Sequence, residues 1–336
     1  MPDSSFGIDG FAQLIETPLV MSRLKIRQAL EYLVFRTVIC IVRALPTRAA
    51  IWLAQALGGF IHFVLPRKWT RFKVASENIR TAFGEDMPDA DVSRTIHQMW
   101  VHLFRVIIEI AQLPYKVRLY NCADVISFYN RELSVQALSR GRPVIYLSGH
   151  FGNWELANTT FGCFGYPTGV VARDLDNPWL HRWFERFRQH TGHRLISKKG
   201  GSDLMVDFLD AGGTLGLLGD QDAGRRGVFV NFFGKPASTF KSIALLAREY
   251  DAVIAVAYAR RLPDDFKNAR WTQFELGCEA VFDPQDYGTD VEQLTQDYTA
   301  ALESAVRKAP EQYFWVHRRW KSVPGQKRRK KVAKAA

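Results

Sequence analysis

The chain has 336 residues, of which 24% are charged and 47% hydrophobic, a balance typical of a globular protein with one large α/β domain or two smaller domains. This composition excludes a disordered or fibrous chain. The four cysteines lie far apart without paired spacing, which indicates neither a disulfide framework nor a cysteine zinc site and fits a reducing compartment.

The net charge of +11 is concentrated in two flanks of the chain. Residues 19–73 hold ten basic groups against the single acid Glu31, and residues 312–336 hold nine basic groups and no acid. Residues 74–311 carry 26 basic against 30 acidic groups, a net charge of −4. A nucleic-acid enzyme usually spreads its cations along the groove that holds the phosphates, so we expect an anionic surface as partner and no nucleic acid.

The first 18 residues contain three acids and no lysine or arginine, and we expect a flexible N-terminus there. The basic flank at 19–73 is also apolar, with two helix-length segments at 30–45 and 49–65. Polar side chains such as Arg36 and His62 interrupt both, so neither supplies the about 20 uninterrupted apolar residues that cross a bilayer. The pattern predicts membrane-associating helices that lie in the interface; two buried core helices, or a tilted helix, are the alternatives. No secretory signal pattern is present, so we expect the catalytic body in the cytoplasm.

From residue 74 the pattern becomes regular and predicts an α/β domain over 74–321, with a mostly parallel central sheet flanked by helices and a ligand crevice at the carboxyl ends of the strands. A helical region extends to about 140. Strands are predicted at 143–148, 168–172, 194–197, 213–218, 228–233 and 253–260. Helices are predicted from about 153 and at 178–190, 202–210 and 237–250. No GxGxxG or GxxxxGK[ST] loop is present, so no nucleotide site is expected. No other cofactor is predicted. Residues 322–336 predict a basic, disordered tail, with adhesion to acidic lipid as the alternative.

The first predicted strand ends in a turn, GHFGNWE, that carries a candidate general base. If Asn153 caps the following helix, Glu155 falls in its first turn and can fold back toward His150, since Gly149 and Gly152 remove the Cβ groups that would hinder the approach. A carboxylate on one ring nitrogen fixes the tautomer and stabilises the imidazolium that forms when the other nitrogen takes a proton. Because no GxSxG nucleophile is present, such a base is expected to activate a hydroxyl on the substrate.

The run HFGNWE resembles the HxxxxE box of bacterial lipid A biosynthesis acyltransferases, the late lauroyl and myristoyl transferases of the glycerolipid acyltransferase superfamily. Four further segments resemble that family in order: ARDLDNP, RFRQHTG, LLGDQDAGRRGVFVNFFGKPAST and PEQYFWVHRRWK. The resemblance implies His150 as base, Glu155 as its partner, and supporting roles for Arg188 and Asp220. It also implies acyl transfer from acyl carrier protein, or from coenzyme A, to a hydroxyl of a membrane glycolipid such as a lipid A precursor, at the cytoplasmic face of the inner membrane, with peripheral or N-terminal attachment. Phosphatidylinositol mannosides and lysophospholipids are the alternative acceptors.

Charged side chains near other predicted strand ends are candidates for substrate binding. Asp220 and Asp222 follow one strand, Arg225 and Arg226 lie just beyond, and Arg173 ends another strand. The arginines, with Arg188, suit the phosphate of a phosphorylated glycolipid, although Arg188 also has Glu185 as a possible partner on its own helix. Two carboxylates separated by one residue are weak evidence for a metal site, so no metal is expected and holding an arginine or a loop is the favoured role.

The aromatic residues allow either a core or an acyl-chain groove. The helix predicted at 178–190 and the strand predicted at 228–233 are rich in aromatic residues: Trp179, Trp183, Phe184, Phe187, Phe229, Phe232 and Phe233. Burial of each methylene of an acyl chain contributes about 0.8 kcal/mol, so a groove of this kind would set chain-length preference. Two rival functions remain at this point: a thioesterase that uses the same base on water, and a noncatalytic membrane-binding or nucleic-acid-binding protein.

Overall fold

The structure, a computed structural model, describes residues 23–325. The expected flexible segment 1–18 and the tail beyond residue 325 lie outside the described residues. The helices are α1 (Arg23–Ala44), α2 (Thr47–Gly59), α3 (Phe72–Phe83), α4 (Asp89–Lys116), α5 (Cys122–Val125), α6 (Arg131–Ser139), α7 (Trp154–Cys163), α8 (Pro178–Gln189), α9 (Ser202–Asp210), α10 (Lys241–Glu249) and α11 (Val291–Arg307). The strands are β1 (Ile126–Tyr129), β2 (Val144–Ser148), β3 (Thr168–Ala172), β4 (Arg194–Ser197), β5 (Thr214–Leu218), β6 (Val228–Phe232), β7 (Lys235–Thr239), β8 (Val253–Arg261) and β9 (Phe274–Phe282).

A mixed seven-stranded sheet with the order β1-β9-β8-β2-β5-β3-β4 forms the centre of the fold. Its strands pair in parallel except for β8 and β9, which are antiparallel. The predicted α/β class with a mostly parallel sheet is therefore confirmed. Strands β2 to β5 and β8 are those that the sequence pattern predicts. The pattern is clearest in β2 and β8, because strands buried on both faces have continuous apolar runs.

The prediction for residues 228–250 is wrong in two respects. The strand at 228–233 does not join the central sheet but forms the separate antiparallel hairpin β6–β7. The predicted helix at 237–250 begins only at Lys241, because the residues before it belong to β7. The hairpin turn at Phe233 and Gly234 has φ of 53° and 72°, as a tight two-residue turn requires. In addition, buried Arg319 donates to the Ser238 carbonyl at 2.7 Å and so holds β7 from the C-terminal segment.

The N-terminal helices pack on α4 through one face and expose apolar side chains on the other. Ile39 and Val42 of α1 are buried in a cluster that Ala54 of α2 shares. The opposite face of α1 and the segment around α2 carry large exposed hydrophobic residues: Leu24, Ile26, Leu30, Leu33, Val34, Val38, Ile41, Trp52, Phe60, Phe63, Val64 and Trp69. The alternative of two buried core helices is thus wrong for α1, more than half of whose residues are exposed. None of the helices within residues 23–325 is long and apolar enough to cross a membrane.

Candidate active site

The turn after β2 has the local structure that the sequence predicts. The Asn153 side chain caps α7 by accepting a hydrogen bond from the Leu156 N–H at 3.0 Å. Gly152 has a φ of +60°, and a Cβ there would lie 2.0 Å from the Ala259 carbonyl oxygen, so only glycine fits. Ser148 ends β2, and His150 therefore lies between the strand and the capped helix, at the carboxyl end of the sheet.

The carboxylate that contacts the His150 imidazole belongs to Asp220. Nδ1 of the ring lies 2.8 Å from Asp220 Oδ1, and the His150 backbone N–H donates to Asp220 Oδ2, also at 2.8 Å. Strands β2 and β5 are neighbours in the sheet, and their last residues, Ser148 and Leu218, lie opposite each other. His150 and Asp220 each lie two residues beyond these strand ends and are therefore close together. The expected contact of Glu155 with the ring is therefore wrong. Asp220 holds a loop, as one of its two expected roles had it, because it bonds the backbone of the turn as well as the ring, but it holds no arginine.

Burial and charge give this pair a defined protonation pattern. Burial lowers the pKa of His150, but the Asp220 carboxylate and its hydrogen bond outweigh burial, and the pKa of the imidazole is raised above its ordinary 6.5. Burial would raise the pKa of Asp220, yet the His150 ring and backbone N–H lower it to about 2. Asp220 is thus ionised at neutral pH and fixes the proton of a neutral ring on Nδ1. In the hydrogen bonds of the described residues the ring uses Nδ1 alone, so Nε2 is left to accept a proton from a ligand.

Glu155 is buried and holds Arg188 of α8. Its carboxylate accepts from Arg188 Nη2 at 2.6 Å and from Nε at 3.2 Å, a two-bond pairing of the kind that carboxylates make with guanidinium groups. Burial lowers the pKa of Arg188, but Glu155 reverses that shift and the net pKa is raised. Arg188 therefore pairs with Glu155 of α7 and not with Glu185, its possible partner on its own helix. The residues next to this pair, Leu156 and Phe187, share one core cluster.

His150 lies on the wall of a cavity of about 580 Å³ at the carboxyl ends of β2, β5 and β3. Glu155, Arg173 and Arg188 also line it, so four of the predicted site residues share this cavity. Most of the remaining wall is apolar and comes from the strands and from α7, α9 and α10: Tyr146, Leu147, Ala157, Phe161, Val170, Val171, Leu195, Met205, Leu217, Leu218, Phe240, Ile243 and Leu246. Of the predicted groove aromatics, Phe184 lines the cavity, whereas Phe187, Phe232 and Phe233 are buried in core clusters.

The remaining predicted binding residues lie apart from His150. Asp222 accepts hydrogen bonds from the Ser322 backbone at 3.2 Å and hydroxyl at 3.1 Å, so it clasps the C-terminal segment. Arg225 lines a second cavity of about 470 Å³ together with Asp222 and Lys321. Arg226 is exposed on the same short turn. The expectation that Arg225 or Arg226 joins Arg173 in one phosphate site is therefore not met, because the turn after Asp220 carries both arginines away from the main cavity.

Two polar residues near His150, namely Gln221 and His317, were not among the residues predicted from the sequence. The His317 ring lies 4.9 Å from the His150 ring, centroid to centroid, and its Nε2 is 3.4 Å from Gln221 Nε2. Burial, and then the neighbouring His150, lower the pKa of His317, so this second imidazole is neutral. The short HRRWK run to which it belongs is the signal that could have directed attention to it. Among the described residues no group of three potential ligand side chains could hold a metal ion.

The site therefore has the parts of general-base catalysis: an imidazole with a free nitrogen, a buried carboxylate that fixes its tautomer, and an adjoining apolar cavity. The family "Bacterial lipid A biosynthesis acyltransferase" has a sequence model that matches residues 20–322, and the chain belongs to that family. The predicted family resemblance is confirmed.

Individual relatives match over a part of the chain. The chain is 32% identical over 197 residues to the lipid A biosynthesis lauroyltransferase of Escherichia coli strain K12, covering 56% of this chain and 59% of that protein. It is 29% identical over 122 residues to the phosphatidylinositol mannoside acyltransferase of Mycolicibacterium smegmatis, covering 35% of this chain and 40% of that protein. This chain therefore spans 57% to 59% of the length of the lipid A relatives that it matches. Among solved structures, the 1-acyl-sn-glycerophosphate acyltransferase PlsC of Thermotoga maritima is 13% identical with a TM-score of 0.39, covering 80% of this chain and 99% of that chain.

Proposed function

We propose that this protein transfers a fatty acyl group from a thioester donor to a hydroxyl of a lipid A precursor, with His150 as general base and Asp220 as its partner. The observation that carries the proposal is the His150–Asp220 pair on the wall of a largely apolar cavity. The names of the relatives, which are lipid A lauroyl- and palmitoleoyltransferases, support the acyl group and the acceptor.

The chemistry follows from the free ring nitrogen. Nε2 of His150 takes the proton of the acceptor hydroxyl as its oxygen attacks the thioester carbonyl, and a new C–O bond forms. Asp220 stabilises the imidazolium without itself taking the proton, since its pKa is lowered to about 2. When the tetrahedral intermediate collapses, the C–S bond breaks and the thiolate leaves, with the imidazolium as the proton source. The ester and the free thiol are the products.

Glu155 has a positioning role in this proposal. Its two hydrogen bonds hold the Arg188 guanidinium at the cavity wall, where both residues are more than four-fifths buried. Breaking such a buried pair from one side leaves an unpaired charge, which costs about 3–5 kcal/mol. Glu155 thus acts on the shape and charge of the cavity, while the proton transfer belongs to His150 and Asp220.

A phosphate on the glycolipid has two cations available at the rim of the cavity. Arg173 and Lys198 follow the neighbouring strands β3 and β4, whose last residues are in register, and both line the cavity. Arg173 makes one exposed contact with Asp176 at 3.3 Å, and Lys198 has no ion pair among the described residues. An exposed pair of this kind contributes little and is readily exchanged for a phosphate contact. Lys198 is a residue that the sequence analysis missed.

Membrane association is the third part of the proposal. Helix α1 exposes an apolar face, exposed aromatic residues follow α2, and the basic residues Arg67 and Lys68 are next to these aromatics in the sequence. Helices of this composition bind an anionic bilayer surface with the apolar side down. Phe35 of α1 packs on Phe184 of α8, which lines the cavity, so a bilayer under α1 lies close to the place where a lipid must enter. Acyl carrier protein is the proposed donor, since an acidic carrier suits the basic surface, and coenzyme A is the alternative.

The test compares the wild type with one variant, each with a lipid A precursor as acceptor and with water as the only acceptor. Purified protein is incubated with an acyl thioester, with and without a lipid A precursor, and thiol release and acylated lipid are measured together. We expect His150→Ala to lower acyl transfer roughly 10²- to 10⁴-fold with folding retained, as for loss of one general base. His97→Ala on α4, outside the cavity, is the matched control. Thiol release that is indifferent to the lipid would overturn transfer in favour of thioester hydrolysis.

A further inference from the structure

The turn that carries His150 is fixed from both sides by other parts of the chain. The Asn153 backbone N–H donates to the Ala259 carbonyl of β8 at 2.7 Å, and the Gly152 N–H donates to the Gln312 carbonyl of the C-terminal segment at 3.0 Å. Gln312 in turn exchanges two hydrogen bonds with the backbone of Arg261, both at 2.9 Å. The turn is therefore held by the end of β8 and by the C-terminal segment, in addition to the bond between the His150 N–H and Asp220.

A buried charged cluster lies directly behind this turn. Arg261 at the end of β8 and Glu109 on α4 are 7% and 3% exposed, and they form two hydrogen bonds at 2.6 and 2.8 Å. The same carboxylate accepts from the Asn153 side chain at 2.9 Å. Asn153, which belongs to the turn and caps α7, is thus hydrogen-bonded to the Glu109–Arg261 ion pair.

His102 on α4 connects the cluster to the backbone of the turn. Its Nδ1 lies 2.7 Å from Arg261 Nη1, and because a guanidinium can only donate, Nδ1 is the acceptor. The proton must then be on Nε2, which donates to the Gly152 carbonyl at 3.2 Å. Burial, together with the charge of Arg261, lowers the pKa of His102, so the ring is neutral and its tautomer is fixed.

We propose that His102 is a positioning residue for the base His150. By holding the Gly152 carbonyl, His102 keeps the His150 ring and backbone N–H within hydrogen-bond distance of Asp220. This inference rests on the proposed function only where it names His150 as the base. His150 bonds Asp220 through both its backbone N–H and its ring, so a shift of the turn disturbs two hydrogen bonds at once.

The energetics of the cluster favour positioning over stability. A buried ion pair gives little net stabilisation, and an apolar replacement of similar volume is often as stable. A fully satisfied polar network instead rigidifies and specifies one arrangement of the groups around it. In this protein the network includes Gly152 and Asn153, the second and third residues after His150. A misplacement of about 1 Å in such a group can cost roughly 10²-fold in rate.

Two amide variants separate the two hydrogen bonds of His102. The asparagine amide reaches the position of Nδ1, so His102→Asn keeps a partner for Arg261 and loses the donor to Gly152. The glutamine amide reaches the position of Nε2, so His102→Gln keeps that donor. Both variants remain polar, and thermal unfolding checks that they fold. His97→Asn, on the same helix and outside the cluster, is the matched control.

The readout is the titration of the His150 ring by NMR, assigned by its loss in His150→Gln, together with kcat and KM for acyl transfer. The titratable groups that face this ring are Asp220 and His317. We expect His102→Asn to lower the His150 pKa and to reduce kcat roughly 10- to 10²-fold with KM unchanged, and His102→Gln to recover most of both. Equal behaviour of the two variants, or an unmoved titration in folded His102→Asn, overturns the proposal. Since the titration needs no substrate, it decides this inference even if the protein transfers no acyl group.

Discussion

Replacement of Asp220 by asparagine should trap the base in the wrong tautomer. One carboxylate oxygen accepts from the His150 backbone N–H and the other bonds ring Nδ1, each at 2.8 Å. The backbone N–H can only donate, so the amide oxygen of asparagine must stay with it and the NH₂ group must face Nδ1. An NH₂ group can only donate, so Nδ1 loses its proton and Nε2 carries it. A protonated Nε2 on a neutral ring accepts no proton from a substrate.

The magnitude follows from this change of tautomer. Loss of the correct tautomer in a serine protease triad costs about 10⁴ in kcat, and we expect roughly 10³- to 10⁴-fold for Asp220→Asn. Asp220→Ala removes both hydrogen bonds but leaves the ring free to adopt either tautomer, so it should be less damaging than asparagine despite the larger deletion. In both variants the His150 pKa should fall, because the charge that raises it is absent.

The assay is kcat for acyl transfer between pH 5 and 9, paired with nitrogen NMR of the His150 ring to identify the protonated nitrogen. Asp222→Asn is a useful control, because this neighbouring carboxylate bonds Ser322 and not the ring. The reasoning is refuted if Asp220→Asn keeps kcat within about tenfold of the wild type, or if its neutral ring still carries the proton on Nδ1.

Three further predictions concern the Glu155–Arg188 pair, the ionisation of Asp220 and the exposed face of α1. Glu155→Gln should destabilise the fold by about 3 kcal/mol in urea unfolding, since Arg188 loses its buried partner, yet leave the His150 titration unmoved; a shifted titration would restore Glu155 as the ring's partner. The free energy of unfolding of the wild type should exceed that of Asp220→Asn by about 2 kcal/mol less at pH 2 than at pH 5. The reason is that the Asp220 carboxyl, whose pKa is lowered from 3.8 to about 2, stabilises the fold only while it is ionised. A difference that does not change with pH would contradict this. Val38→Glu should weaken binding to anionic vesicles roughly tenfold in sedimentation, whereas Val135→Glu on α6 should not, and equal losses would argue against α1 as the membrane face.

The local elements near the base could be predicted because local signals determine them. The apolar run of β2 and the Asn153 cap each act through neighbours in sequence, and the structure has both as predicted. Gly152 is required for a reason that the sequence did not show, since a Cβ there would meet the Ala259 carbonyl of β8 and not the side chain of Glu155. Strand β9 and helix α11 were not predicted, although both bury residues in the core. The sequence predicts a helix for residues 237–239, the second half of β7, because the pairing of β7 with β6 is visible only in three dimensions.

The partner of the imidazole is the point at which sequence reasoning failed. Glu155 is five residues from His150, and a sequence pattern favours that short distance, whereas Asp220 is 70 residues away. The register of β2 with β5 brings the distant carboxylate to the ring and turns Glu155 toward Arg188 of α8. The sequence places His150 and Asp220 just after two predicted strands, but it does not show that these strands are neighbours in the sheet. The order of the strands therefore decides that the two side chains meet.

The sequence by itself determined the alternation of strands and helices, the capped turn that presents His150, and the apolar, basic character of the N-terminal helices. These features depend on hydrophobic periodicity, capping and backbone freedom, which act over a few residues. Only the tertiary structure decided which carboxylate faces the ring, which arginines share its cavity and which buried groups hold its turn. Those choices depend on the order and register of strands far apart in the chain, and no local preference encodes them.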